Sequence, residues 1–491
     1  MLGWVMKLYE DQAEFVGKLR EALRAGHRSI LGVASPAFGK TVVAGYIISQ
    51  ARAKSNARAW FLVHRKNLLR QTSKSFWAAK IEHGLITSGK ARSPLPVQVG
   101  TIGTVYSRMQ HLAPPDVLFI DEAHLSRGMM FSTVIEWCKQ AGSIIIGLTG
   151  TPIRLDGKPL GGLFDVLVEA KSTAWLIDQL RLSGYDMFST PMLPDLAGVK
   201  QQAGDYDREQ LAGVMSKPVL IGDAVQHWLT HANGMRTVVY CCNVAHSKIT
   251  AAAFSDAGIP AIHVDGESTE AEIKDACEGM ASGKYLVLCN CELLIEGFDL
   301  SAQVGKDVTL ECCILLRPTQ SLARYLQMVF RALRKKPNKA IILDHAGCAM
   351  KHGLPDDERH WSLVGTKKRK RKTNDEPDIG IQECKACYKI FRSGVRTCPH
   401  CGATVEFKPR VIQTQDGELE KIDRAMVAKA ARIEQGQARS IEDLVFIGVR
   451  RGMKNPGFWA ATVFAAREQR KPTREEIKLA HDTAIAARRA A

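Results

Sequence analysis

Short, wholly apolar runs, each followed by a turn and then by a segment of helical spacing, recur through the first three quarters of this chain. The first set comprises Ser29–Ala34, Ala59–His64, Val97–Thr101, Val117–Ile120 and Ser143–Leu148. A strand with one wet face alternates apolar and polar residues, so runs this continuous need cover on both faces, as in a parallel sheet flanked by helices. A second set follows at Thr237–Cys241, Ala261–Val264, Tyr285–Cys289, Cys312–Leu316 and Ala340–Leu343, beyond a Pro- and Gly-spotted stretch from Thr190 to Gly204. The pattern predicts an α/β protein with two sheet domains in tandem. A length of 491 residues calls for several cores in any case.

Charge narrows the partner. Lys and Arg number 67 against 51 Asp and Glu, a formal charge of +16, which favours a polyanion such as nucleic acid. No apolar stretch approaches a bilayer span, so no membrane passage is expected. The start, Met1–Gln12, carries Lys7, Glu10 and Asp11 and does not read as a signal peptide, which points to the cytoplasm. Most cysteines sit in apolar, strand-like surroundings, such as Cys241-Cys242, Cys289 and Cys312-Cys313, and read as reduced core thiols. Four do not. Cys384-x2-Cys387 and Cys398-x2-Cys401, with Pro399 and Gly402 in and after the second pair, have the spacing of a tetrahedral, structural Zn²⁺ site closed by four thiolates, with His400 outside the ligand set. Lys385, Lys389, Arg392 and Arg396 around it suit a nucleic-acid-binding module.

Two motifs carry chemistry. Ala34-Ser35-Pro36-Ala37-Phe38-Gly39-Lys40-Thr41 follows an apolar run and opens a helical segment, the context of a phosphate-binding loop. Backbone N–H groups of such a loop wrap phosphates, Lys40 neutralises them, and the Thr41 hydroxyl can hold Mg²⁺. An ordinary strand-to-helix turn is the alternative. Downstream, Val117–Ile120 ends on Asp121-Glu122-Ala123-His124. Asp121 is the candidate Mg²⁺ ligand and Glu122 the candidate base for an attacking water.

Joined in this order, the motifs resemble the DEAD/DEAH group of superfamily 2 helicases, in particular compact bacterial and phage enzymes of the repair-helicase and restriction-motor branch. The resemblance implies two RecA-like domains with parallel sheets, a small zinc ribbon and a helical C-terminal tail. The expected spans are 1–185 for the ATP-binding domain, 186–212 for a connector, 213–365 for the second RecA-like domain, 366–381 for a basic linker, 382–408 for the zinc ribbon and 409–491 for the tail. It places Gln12 on the adenine edge, Ala37, Phe38, Gly39, Lys40 and Thr41 around the phosphates, and Asp299, in Glu296-Gly297-Phe298-Asp299, on the ribose. Thr149 and Thr151, in Leu148-Thr149-Gly150-Thr151-Pro152, couple hydrolysis to domain movement with His124 and Gly297. Arg65 and Thr101 contact the nucleic-acid backbone. Gln327, Arg331 and Arg334 fall at i, i+4 and i+7, one helical face, and the resemblance makes them catalytic, with Arg334 the arginine finger and Arg331 beside it; alone they would read as a basic amphipathic helix. Two positions depart from the family. Ala37 and Phe330 stand where Gly is usual, and a Cβ at the former disfavours a positive φ.

The function so implied is an ATP- and Mg²⁺-dependent DNA helicase or translocase of replication, repair or recombination, in a bacterium or phage-infected cell. An RNA helicase is one alternative; a nucleic-acid-binding module with a degenerate ATPase is another. The basic run Lys367–Lys372 reads as a phosphate-binding arm, a nuclear-import signal or a solvated linker, and the tail as a surface for a protein partner or more nucleic acid.

Overall fold

The computed structural model describes residues 7–125, 128–153, 159–190, 193–202, 204–294, 300–306, 308–364, 380–404, 434–451, 453, 455–468 and 470–490. Its first sheet has seven strands: β1 Ser29–Val33, β2 Ala59–Val63, β3 Gly84–Ile86, β4 Val97–Thr101, β5 Val117–Ile120, β6 Ile144–Thr149 and β7 Val166–Glu169. They lie in the order β3-β4-β2-β5-β6-β1-β7, every pair parallel. β1, β2, β4 and β5 are buried from end to end, as their unbroken apolar runs require. Period-two alternation divides β2 between two cores. Phe61 and Val63 face Phe15, Phe76 and Phe119, while Trp60 and Leu62 face Val105, Phe131 and Val134.

Parallel pairing gathers the C-terminal ends of these strands on one edge, where open α/β sheets bind ligands. Asp121 follows β5 there, the 34–41 loop follows β1, Thr149 ends β6, Thr101 ends β4, and Arg65 follows β2.

Six strands of the second sheet are parallel: β8 Tyr185–Ser189, β11 Thr237–Tyr240, β12 Ala261–Val264, β13 Val287–Asn290, β14 Cys312–Leu315 and β15 Ala340–Asp344. Between β8 and β11 runs a small hairpin, β9 Gln201–Gln202 with β10 Asp205–Tyr206. The stretch read as a connector thus begins inside a strand, since β8 pairs with β15. The sheet does not end at β8. β17 Lys389–Arg392 pairs antiparallel with β8 and with β16 Ile381–Glu383, so the order is β12-β13-β11-β14-β15-β8-β17-β16 and the sheet is mixed. Expected as a separate ribbon, the cysteine-bearing segment supplies the last two strands at one edge of the second sheet.

The basic run Lys367–Lys372 lies outside the described residues. Beyond it, Lys408–Ala491 is a compact unit of its own. Helices Ile441–Arg450, Pro456–Glu468 and Arg474–Ala490 bury Leu444, Val445, Ala460, Phe464, Ala480 and Ala484, and a Ser440/Asp443 capping box starts the first. No helix among the described residues is long and apolar enough to cross a membrane.

Trp228 anchors the second domain. Its ring is 1% exposed, meets Phe254 edge-on at 6.0 Å, and donates its indole N–H to Thr237 Oγ1 at 2.6 Å. Trp228→Ala is expected to cost about 3–5 kcal/mol, read as a lowered urea midpoint for the transition of this domain; a loss under about 1 kcal/mol would contradict the assigned packing.

Candidate nucleotide site and cysteine cluster

Ala34 donates its N–H to Thr149 O at 2.9 Å, tying the loop after β1 to the end of β6. The loop then needs two left-handed residues to turn into the Lys40–Ser55 helix, and they are Ala37 (φ 66°) and Gly39 (φ 94°). Ala37 thus adopts the conformation its Cβ disfavours. Three contacts hold the strained loop. Phe38 is buried, its ring edge-on to Phe15 at 5.6 Å; its carbonyl accepts from Gln12 Nε2 at 2.9 Å; and Gln12 Oε1 accepts from Tyr9 N at 3.1 Å. A Cβ at Gly39 would sit 2.6 Å from Gln12 Nε2, so the brace itself demands glycine there. Gln12, expected at the adenine edge, is the loop's prop in this structure, and each end of its amide keeps a second hydrogen-bonding valence.

Asp121 and Glu122 emerge from β5, Asp121 N donating to Leu62 O at 2.9 Å and Glu122 N to Asp121 Oδ1 at 3.0 Å. Glu122 is also left-handed, at φ 47°. Such conformations cost non-glycine residues energy and concentrate at functional sites. Beneath the acids lies a buried relay. His124 Nδ1 is 2.9 Å from Thr149 Oγ1 and 3.4 Å from a Glu122 carboxylate oxygen, and Thr149 Oγ1 donates to Thr151 O at 3.0 Å while accepting from Thr151 N at 3.1 Å. With the Thr149 proton so committed, the imidazole Nδ1 must be the donor, and Thr149 is its closer partner.

Burial, and next the Glu122 carboxylate, push Asp121 up to about 6, against the pull of Lys40. Burial pushes Glu122 up as well, but His124 and the Lys40 charge outweigh it and hold Glu122 at about 2. Of the pair, Glu122 is therefore the carboxylate held ionised at neutral pH. Its Oε2 is closed off on the His124 side. Two adjacent, half-buried carboxylates lining one cleft form a donor set suited to a hard divalent cation.

Across from them stands the second domain. A cleft of about 180 Å³ is lined by Pro36, Ala37, Gly39, Lys40, Thr41, Asp121 and Glu122 from one side and by Gln327, Phe330, Arg331 and Arg334 from the other. The three residues expected to act in catalysis from the second domain all reach it, but not by one helical face. The Leu322–Phe330 helix stops at Phe330, Arg331 caps it, and Arg334 is bridged to Leu182 in the following turn. The i+7 argument for Arg334 therefore fails although the residue arrives.

Comparison with known proteins agrees with this cleft. Residues 5–154 match the family described as "Type III restriction enzyme, res subunit". A "51.5 kDa protein" of a Lactococcus phage (isolate 7-9) is 32% identical over 398 residues, 80% of this chain and 82% of that protein. The "Putative ATP-dependent helicase IRC3" of Saccharomyces cerevisiae is 25% identical over 367 residues, and its Schizosaccharomyces pombe counterpart 26% over 356. The chain belongs to the superfamily 2 helicases. It spans about half the length of the two yeast relatives, 52% and 57%, and 70% of this helicase takes part in each match. The family is one of nucleic-acid-dependent ATPases.

Other expected positions of the helicase are spread along the same edge. Val63 and Thr101 are register partners, which sets Arg65, exposed at the start of the Lys66–Ala78 helix, close to Thr101. Thr101 is buried and donates its hydroxyl to Thr104 Oγ1 at 2.9 Å, so it lies beneath the surface that Arg65 presents. Gly297 and Asp299 lie outside the described residues. Residue-type reasoning overlooked Arg181, whose guanidinium stacks 3.4 Å from the Tyr9 ring centre and pairs with buried Asp11 at 2.9 Å, beside Gln12. The aromatic three residues before Gln12 was the available signal.

The four cysteine sulfurs lie within 4.8 Å of one another, with Cys384–Cys401 and Cys387–Cys398 both at 3.6 Å. Disulfides need about 2 Å. Thiolates around a tetrahedral Zn²⁺ at about 2.3 Å sit roughly 3.8 Å apart, which fits. His400 is turned away, its ring edge-on to Phe188 at 5.3 Å. Of the surrounding cations, Lys389 pairs with Asp186 at 2.6 Å, and Arg392 with Asp357 at 2.7 Å and Asp356 at 3.2 Å. These two, expected to serve nucleic acid, fasten the hairpin to the motor domain instead.

Replacing Ala37 by Gly removes a left-handed Cβ at a modest entropic cost, so Ala37→Gly is expected to raise stability by about 0.5–1 kcal/mol with ATP affinity kept or improved. Thermal melting and nucleotide titration check it; a destabilised variant would show that the loop does not hold this backbone.

Proposed function

We propose that this chain is a Mg-ATP-driven DNA translocase or helicase. The observation that carries the reading is the single cleft in which Lys40, Thr41, Asp121 and Glu122 of one domain face Gln327, Arg331 and Arg334 of the other. Neither domain alone holds both sets of groups.

In this reading, backbone N–H groups of the loop and the Lys40 ammonium bind the β- and γ-phosphates, and Gln12 uses its remaining valences on the adenine. Mg²⁺, held by Thr41 and Asp121, supplies charge neutralisation at the transferring phosphoryl group. Glu122, kept ionised by His124 and Lys40, accepts a hydrogen bond and then a proton from the attacking water. Arg334, with Arg331 beside it, supplies positive charge where the transition state develops negative charge. His124, Thr149 and Thr151 connect that carboxylate to the end of β6, so a change at the phosphate reaches Gly150, which lines the cavity shared with Leu326 and Phe330 of the second domain. Arg65 contacts the nucleic-acid backbone without reading sequence, with Thr101 supporting that edge from beneath. Zn²⁺ on the four cysteines is structural, since four thiolates leave no open position.

DNA is preferred to RNA because the first domain matches a family named for restriction enzymes, whose substrate is DNA. The phage relative supports action in the cytoplasm of a bacterium or an infected cell.

Turnover should be stimulated by DNA and lost in Lys40→Ala, and Arg334→Ala should lower kcat by roughly 10³-fold or more while ATP still binds. Steady-state ATPase assays with single-stranded, duplex and forked DNA and with RNA check this. Stimulation by RNA alone would make the chain an RNA helicase, and ATP binding without turnover would make it a binding module.

A further inference from the structure

After β15 the chain does not stay on the second domain. After a turn at Pro355-Asp356 it runs without helix or strand pairing, with Arg359, Trp361 and Leu363 half-buried and His360, Ser362 and Val364 exposed, the alternation of a strand laid on a surface. That surface belongs to the first domain. Trp361 and Leu363 pack against the core that holds Leu160 and Phe164, and Leu363 O accepts both Leu160 N at 3.1 Å and Gly161 N at 3.0 Å.

The root of this segment is fixed to the helix that leads into the arginines. Tyr325, on the Leu322–Phe330 helix, donates its hydroxyl to Gly353 O at 3.0 Å and stacks on His352 at 5.4 Å. Arg359 gathers the turn, its guanidinium donating to the carbonyls of His352, Leu354, Pro355 and Asp357 at 2.7 to 3.3 Å. Arg392, in the cysteine-bearing hairpin, clamps Asp356 and Asp357 from the other side, and Tyr185 bonds to Asp356. Between root and tip, the segment lines a cavity of about 140 Å³ whose walls include Pro36 and Gly150 of the first domain and Leu326 and Phe330 of the second.

We infer that residues 353–363 are a positioning strap that ties the arginine-bearing helix to the phosphate-loop domain, with Trp361 and Leu363 as its anchor on the first domain. The inference rests on the proposed ATPase reading. The strap's effect follows from population arithmetic: an ATP site built from two domains binds in proportion to the fraction of time both halves are together. Holding them together without nucleotide raises that fraction. Neither anchor residue lines the cleft that holds Lys40 and Arg334, so losing the anchor weakens ATP binding and leaves the chemistry of the assembled site alone.

The test is Trp361→Ala/Leu363→Ala in the full chain, with Trp361→Phe as the conservative control. Amide hydrogen exchange should show Leu160 and Gly161 protected in the parent, in Trp361→Phe and in Lys40→Ala, and released in the double variant while the strands of the first sheet stay protected. KM for ATP, and Kd for a fluorescent non-hydrolysable analogue, should rise about tenfold in the double variant, with kcat at saturating ATP and DNA changed less than about twofold. Free exchange of Leu160 and Gly161 in the parent, or their release with KM and Kd unchanged, would overturn the strap. Absence of turnover in the parent would count against the motor reading instead, because amide exchange and analogue binding read the strap without hydrolysis.

Discussion

Asp121 and Glu122 are adjacent, half-buried and both acidic, and two carboxylates this close do not both ionise without compensation. Lys40 enters from the loop after β1, and His124 approaches Glu122 Oε2 from below on a hydroxyl relay. Much of the first domain's local strain belongs to this arrangement. Ala37 and Glu122 are both left-handed, and each brings its segment to the edge where the carboxylates stand. The parallel sheet matters functionally because it delivers all these loops to one edge.

The compensation is incomplete within one domain, and that makes the site a coupling device. Arg331 and Arg334 reach the same cleft from the second domain, so a ligand carrying several negative charges favours the arrangement in which both halves meet over one that separates them. Two other connections bear on this. The strap carries the chain from the arginine-bearing helix back to the first domain, and the cysteine-bearing hairpin extends the second sheet and grips the strap's root through Arg392. The cysteine cluster is therefore built onto the second domain's sheet.

Features that depend on burial and local order were legible in the residues alone. Unbroken runs such as Ala59–Val63 announced strands covered on both faces, and the two acids at the end of β5 announced the cleft. What escaped depends on long-range pairing. β8 and β17 are short and mixed in character, and only their partners make them strands, so a connector and a free ribbon were expected where the second sheet continues. Lys389 and Arg392 look like nucleic-acid contacts until Asp186, Asp356 and Asp357 are seen opposite them, 203 residues away for the first and a few dozen for the other two. The resemblance put Arg334 in the cleft, whereas the helical spacing offered beside it ends at Phe330. The strap had no periodic signature long enough to be noticed.

That one triphosphate joins both halves of the cleft is the central claim, and amide hydrogen exchange of the full chain with Mg²⁺ and either a non-hydrolysable ATP analogue or ADP tests it most directly. The analogue is predicted to protect both the 36–41 loop and the 327–334 segment, and ADP the loop alone. Protection confined to the loop with either nucleotide would show that the second domain's arginines do not meet the γ-phosphate, and would contradict the account.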